Sequence, residues 1–264
     1  MSIPELIDTH CHLLSGELAR RTDDVIASAI EAGVTRMVNI SCAVAEWDAA
    51  LALQRRYAGR LWTATGIHPH DAAGATEADF ERLAQTWRLP GVVGAGEMGL
   101  DYHYDFSPRP VQQAVFARQL EIASSLDLPI VVHCREAHAD VVRLLLKQGY
   151  AGRKVVFHCF SGTRAEAAEL WGHGWWTSFT GTITYKKNIE QQQVCAEAAP
   201  DQIFFETDAP YLSPEPVRKM RPNEPGNIIH TVRFAAALRG ETFEQLAERS
   251  TRNAMRFFNL DPSE

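Results

Sequence analysis

Side chains with metal-ligating chemistry fall at matching places along this chain. Asp8-Thr9-His10-Cys11-His12 closes a short apolar run. The two-residue period of a strand puts His10 and His12 on one face and Cys11 on the other. Two imidazoles on one side of a strand end form a pincer for a cation. Later runs end in Gly96-Glu97-Met98-Gly99, His133-Cys134-Arg135, His158-Cys159-Phe160 and Glu206-Thr207-Asp208. Each taken alone has a plain structural reading, such as a solvated loop histidine or a carboxylate in a turn. Taken together, His10, His12, Glu97, His133, His158 and Asp208 exceed the ligand set of a single catalytic zinc and suit two ions sharing a bridge. Glu97 is the candidate bridge, since a carboxylate can span two ions and an imidazole cannot.

Other positions support such a centre less directly. His68, in Gly66-Ile67-His68-Pro69-His70, is placed to contact substrate, whereas His70 reads better as a supporting or loop residue. Arg135 suits a phosphate or carboxylate. Arg218, Lys219 and Arg221, on a proline-stiffened loop after Asp208, form a local cationic patch, and Lys186 and Lys187 add to it. Glu206 reads as a helper beside Asp208 or as a substrate contact. The five cysteines are odd in number and lack CxxC spacing, so neither a disulfide framework nor a cysteine-rich zinc module is indicated. Those beside the histidines alternate to the opposite face and are expected to be buried packing residues; Cys42 and Cys195 carry no signal.

The elements that must position these groups are legible as a rhythm. Short apolar runs at Leu6–Thr9, Arg36–Ile40, Leu61–Thr65, Val92–Gly96, Pro129–Val132, Val155–Phe157, Trp175–Phe179 and Ile203–Glu206 read as strands. Between them lie helical patterns, with two more helices at Ile228–Leu238 and Phe243–Phe258. Eight alternating units in 264 residues predict one α/β domain, a (β/α)8 TIM barrel spanning 1–264. In such a barrel catalytic groups project from the C-terminal strand ends, where the histidines and acids fall. The 26 basic and 33 acidic residues give a net charge of −7, which counts against an architectural nucleic-acid binder but not against an enzyme with local cations. The opening Met1-Ser2-Ile3-Pro4-Glu5-Leu6 has neither a basic nor a long apolar segment, and no membrane-length apolar run follows. A soluble, cytoplasmic protein without membrane association is expected.

The ordered motifs Asp8-Thr9-His10-Cys11-His12, Gly66-Ile67-His68-Pro69, Gly96-Glu97-Met98-Gly99-Leu100-Asp101-Tyr102, His133-Cys134-Arg135, His158-Cys159-Phe160-Ser161-Gly162, Glu206-Thr207-Asp208-Ala209-Pro210 and Arg221-Pro222-Asn223-Glu224-Pro225 resemble those of the TatD family, metal-dependent deoxyribonucleases among the amidohydrolase-like barrels. The resemblance implies that His10, His12 and Asp208 hold one metal with Glu97, and that Glu97, His133 and His158 hold the other. It implies magnesium- or manganese-supported activity, although four imidazoles also favour zinc. The expected reaction is phosphodiester hydrolysis, with 3′–5′ exonuclease action on single-stranded DNA. A two-metal-activated water would attack, with Asp208 as general base, and Arg135, Arg218, Arg221 and His68 would hold substrate. The chain is expected to work as a monomer without an obligate protein partner. Rival readings are a two-metal amide or lactone hydrolase and a non-catalytic metal-binding barrel. Lysine is absent around Glu97, which leans away from hydrolases bridged by a carboxylated lysine.

Overall fold

A computed structural model describes residues 4–260; the reading of Met1-Ser2-Ile3, and positions 261–264 of the single-domain expectation, lie outside the described residues. The strands are β1 (Leu6–Cys11), β2 (Val34–Ser41), β3 (Leu61–Thr65), β4 (Val92–Asp101), β5 (Ile130–Arg135), β6 (Val155–Phe157), β7 (Trp176–Phe179) and β8 (Ile203–Phe205). They pair in parallel in chain order. The ring closes where Cys11 bridges Ala209 and the backbone N–H of His12 donates to the Ala209 carbonyl at 2.7 Å. This is the expected (β/α)8 barrel. Helices α1 (Thr22–Glu31), α2 (Trp47–Arg56), α3 (Glu77–Thr86), α4 (Arg109–Ser124), α5 (His138–Lys147), α6 (Arg164–Gly172) and α7 (Ile189–Glu197) follow the first seven strands. After β8 come α8 (Ile228–Arg239) and α9 (Phe243–Phe258).

Two apolar cores follow from the alternation of strand side chains. Outward residues such as Leu6, Met37, Val132, Phe157 and Phe205 pack against the helices. Inward residues Ile7, Val38, Val131, Val156, Trp176 and Phe204 fill one end of the barrel, where Phe257 and Phe258 of α9 cover them. Helix α9 starts on a capping box in which Thr242 accepts from the Gln245 backbone N–H. The barrel is thus plugged at one end and open at the other, so the polar strand ends gather at a single mouth.

Several strands run further than their apolar runs predict. β1 continues through Cys11, β4 through Asp101 and β5 through Arg135. The polar residues at these ends stay in the ladder because their backbone groups still pair with a neighbouring strand. The pairing also slips by one residue at several places, two of which bear on the mouth. On β1, Asp8 and Cys11 oppose Met37 and Asn39; on β4, Ala95 and Met98 oppose Ile130 and Val132. Such an extra residue reverses which face the following side chains occupy.

Candidate metal centre

These slips matter at the mouth. Ile7 points into the barrel, so unbroken alternation would turn Thr9 and Cys11 inward. The slip on β1 instead turns His10 and His12 to the mouth and sends Cys11 into the outer core. On β4 the slip falls around Glu97, where Gly96 (φ +143°) and Gly99 (φ +149°) adopt backbone conformations that L side chains rarely reach. A Cβ on Gly99 would collide with the His133 carbonyl, and one on Gly96 with the Val131 carbonyl. Close approach of β4 to β5 therefore brings Glu97 beside His133. His158 follows β6 by simple alternation. Asp208 sits at φ +53°, with its N–H donating to the His10 carbonyl at 2.9 Å.

The two oxygens of Glu97 serve two separate groups. Oε2 lies 3.3 Å from His10 Nε2 and 3.8 Å from His12 Nε2, and these imidazoles lie 3.6 and 3.3 Å from Asp208 Oδ1. Oε1 lies 2.8 Å from His133 Nδ1 and 2.7 Å from His158 Nε2. Metal–ligand bonds of about 2.0–2.2 Å set neighbouring donors roughly 3 Å apart around one ion. The separations here have that scale. The donor set therefore fits divalent metal. A further trio that could hold a metal, His68, His70 and His133, adjoins the second group.

The electrostatics match. Burial opposes ionisation of Glu97, but the imidazoles of His158, His68, His10 and His133 hold it well below the usual carboxylate range. Asp208 is likewise lowered against its burial by His12 and His10. Burial pushes His68 down to about 4, only partly offset by Glu97. His158 is raised well above its ordinary value because Glu97 and Glu206 outweigh its burial. The centre is a buried anionic pair ringed by imidazoles, a setting that favours a cation.

Supporting groups hold the ring. Asp101 is buried and accepts from His133 Nε2 at 3.1 Å and from His70 Nε2 at 2.9 Å. This fixes the His133 ring with Nδ1 toward Glu97. Glu206 accepts from the Cys159 N–H at 2.6 Å and faces His158 Nδ1 at 3.5 Å. It is closed off behind His158, so the structure does not bring it to the cleft as a substrate contact. Asp8, fully buried and raised to about 7 by that burial, accepts from the Thr207 N–H and hydroxyl where β1 meets β8.

The mouth opens into a cleft of about 880 Å³. His12, His68, Glu97, His133, His158 and Asp208 line it, as does Arg135; His10 lies buried beneath. His68 Nε2 is 3.5 Å from Glu97 Oε1. The cationic loop is not among the lining residues. Arg218 lies over the Tyr185 ring at 3.9 Å and 3.6 Å from Glu215, and Arg221 is exposed to solvent. The cysteine reading needs correction at three positions. Cys134 and Cys159 are only partly buried and reach the cleft, Cys159 because its φ of +45° breaks the alternation. Cys42, one residue beyond β2, puts its Sγ 3.7 Å from Glu97 Oε2. Its place at a strand end was the available signal. The role of Asp101 was likewise missed, although it too ends a strand.

A parallel eight-stranded barrel with this ligand set at its open mouth defines a metal-dependent hydrolase class. The family profile described as TatD related DNase matches residues 7–259, and the chain belongs to that family. It is 35% identical to the uncharacterized metal-dependent hydrolase YabD of Bacillus subtilis, with 97% of this chain and 100% of that one covered. It is 36% identical to the 3′-5′ ssDNA/RNA exonuclease TatD of Erwinia tasmaniensis, again over 97% and 100% of the two chains. The crystal structure of the TatD homolog YJJV from Escherichia coli superposes with a TM-score of 0.90 at 28% identity, covering 96% of this chain and 98% of that one. No described helix is long and apolar enough to cross a membrane.

Proposed function

We propose that this chain is a phosphodiester hydrolase that shortens single-stranded DNA from its 3′ end. The observation carrying this reading is the split of Glu97 between two imidazole groups beside a partly open Asp208, in a family whose named relatives include nucleases. His10, His12, Asp208 and Glu97 would hold one divalent ion, and Glu97, His133 and His158 the other; magnesium or manganese would work there, and zinc would also bind. When bound, the ions supply Lewis-acid stabilisation of phosphoryl charge and make water a better nucleophile. Asp208 is the proton acceptor from the attacking water. Its side chain is 14% exposed against 4% for Glu97, so it is the more solvent-accessible carboxylate of the set. Arg135 and His68, on the cleft wall, would hold the substrate phosphates.

The test uses a single-stranded DNA labelled at its 5′ end, with Mg²⁺ or Mn²⁺ and an EDTA control. The expected result is a metal-dependent ladder shortening stepwise. Asp208→Ala should lower turnover by roughly 10²–10⁴-fold with an unchanged circular-dichroism spectrum. Full activity in that variant removes the base assignment. No cleavage by metal-loaded protein turns the reading toward amide or lactone hydrolysis.

A further inference from the structure

Beside the metal centre two large aromatic side chains stand open to solvent. Tyr104 is 48% and Phe106 67% exposed, on the segment between β4 and α4. Their rings stack with centroids 5.3 Å apart and planes 11° from parallel. His70 meets both edge-on, at 5.6 and 4.8 Å, and the same imidazole donates to the Asp101 carboxylate that orients His133. One imidazole thus separates this stack from a candidate metal ligand. The Arg135 guanidinium lies 4.8 Å from the centre of the Tyr104 ring. Tyr104 and Arg135 both line the cleft.

The segment is tied down at both ends. The backbone N–H of Tyr104 donates to Asp101 at 2.9 Å, and the buried Ser107 hydroxyl donates to the His70 carbonyl at 2.8 Å. Exposed aromatic surface held this firmly is pre-organised for a flat, apolar ligand. Every nucleobase offers such a face once it is unpaired, while a base inside a duplex already spends both faces on its neighbours. The adjacent guanidinium supplies a partner for the backbone phosphate.

We propose that Tyr104, on the cleft wall, and Phe106, stacked on it just beyond the cleft lining, form a base-stacking platform at the edge of the cleft, taking an unpaired nucleobase of the strand whose phosphate Arg135 contacts. The inference rests on the nucleic-acid reading above and adds the element that selects single strands. Stacking on such a platform is sequence-tolerant and is worth roughly 5- to 150-fold in affinity per base.

The experiment compares two 5′-labelled strands of equal length on the metal-loaded protein: oligodeoxythymidylate, and the same backbone built from base-free tetrahydrofuran units. The wild type should show a KM for the base-free strand higher by a factor within that range. Phe106→Ala and the pair Tyr104→Ala/Phe106→Ala should raise KM for oligodeoxythymidylate toward the base-free value, leave the base-free KM unmoved and hold kcat within about threefold. Phe106→Trp should restore the low KM and Phe106→Leu should not, because stacking needs a flat ring and simple packing does not. Phe106 is exposed enough that the single variant serves even if the double one fails to fold. Equal KM values for the two strands in the wild type, or a variant that raises both alike, overturns the platform and leaves the nuclease reading standing. Cleavage of neither strand overturns both.

Discussion

Glu97 divides its carboxylate between His10 and His12 on one oxygen and His133 and His158 on the other, and the glycines around it make that division possible. Gly99 lets β4 lie against the His133 carbonyl at a φ of +149°. Gly99→Ala should cost about 1–3 kcal/mol from backbone strain alone and should displace His133. Its expected signature is a lowered melting temperature together with weaker metal binding in a calorimetric titration. A variant that melts lower but binds metal as the wild type does would show that the approach of β4 to β5 does not position His133. Simple alternation places His133 and His158, whereas Asp208 reaches the site through a positive φ that no apolar pattern announces.

Between elements, the two register slips on β1 and β4 carry more of the site than the strands' lengths do. Elsewhere the connections are ordinary, and one of them has a definite pH dependence. Glu241 joins α8 to α9: it accepts from Arg239 Nε at 2.8 Å and pairs with Arg249. Arg239 also donates to the carbonyls of Cys195 and Ala198 at the end of α7. Burial works against the Glu241 charge, but the two guanidinium groups outweigh it and lower its pKa below the ordinary 4.5. A depressed carboxylate stabilises the fold fully above its unfolded value and loses that contribution as pH falls through the folded one. Glu241→Gln should therefore cost about 1–2 kcal/mol at neutral pH and flatten the decline in melting temperature below about pH 5. An unchanged acid limb would show that the clamp contributes nothing to stability.

At the level of the molecule, a net charge of −7 means that any anionic strand must be drawn by local features rather than by the overall field. Arg135 is the one Arg or Lys among the described residues lining the cleft. Arg135→Ala should raise KM for single-stranded DNA and reduce the magnitude of the slope of log(kcat/KM) against log salt by about 0.7, the contribution of one phosphate contact. An unchanged slope would move the phosphate contacts elsewhere, with the loop bearing Arg218 and Arg221 the next place to look. The apolar plug under α9 explains why only one barrel end is available for this chemistry: Phe257 and Phe258 fill the other.

Much of this was readable without coordinates. Eight apolar runs alternating with helical patterns specify a barrel because burial on both faces of a strand demands apolar residues and local periodicity records it. The ligand types, their place at strand ends and the shared mouth follow from that arrangement. What the chain's own order did not reveal is where pairing slips, since an extra residue in a strand depends on the neighbouring strand's backbone. Thus the inward turn of His10 and Glu97, the arrival of Cys42 beside Glu97, and the ties from Asp101 to His70 and His133 depend on contacts between separate strands and loops. The same holds for the cationic loop, where the Tyr185 ring and Glu215 engage Arg218 away from the cleft. Periodicity encodes which face a residue prefers within its own element; only the packing of elements against each other decides which side chains meet.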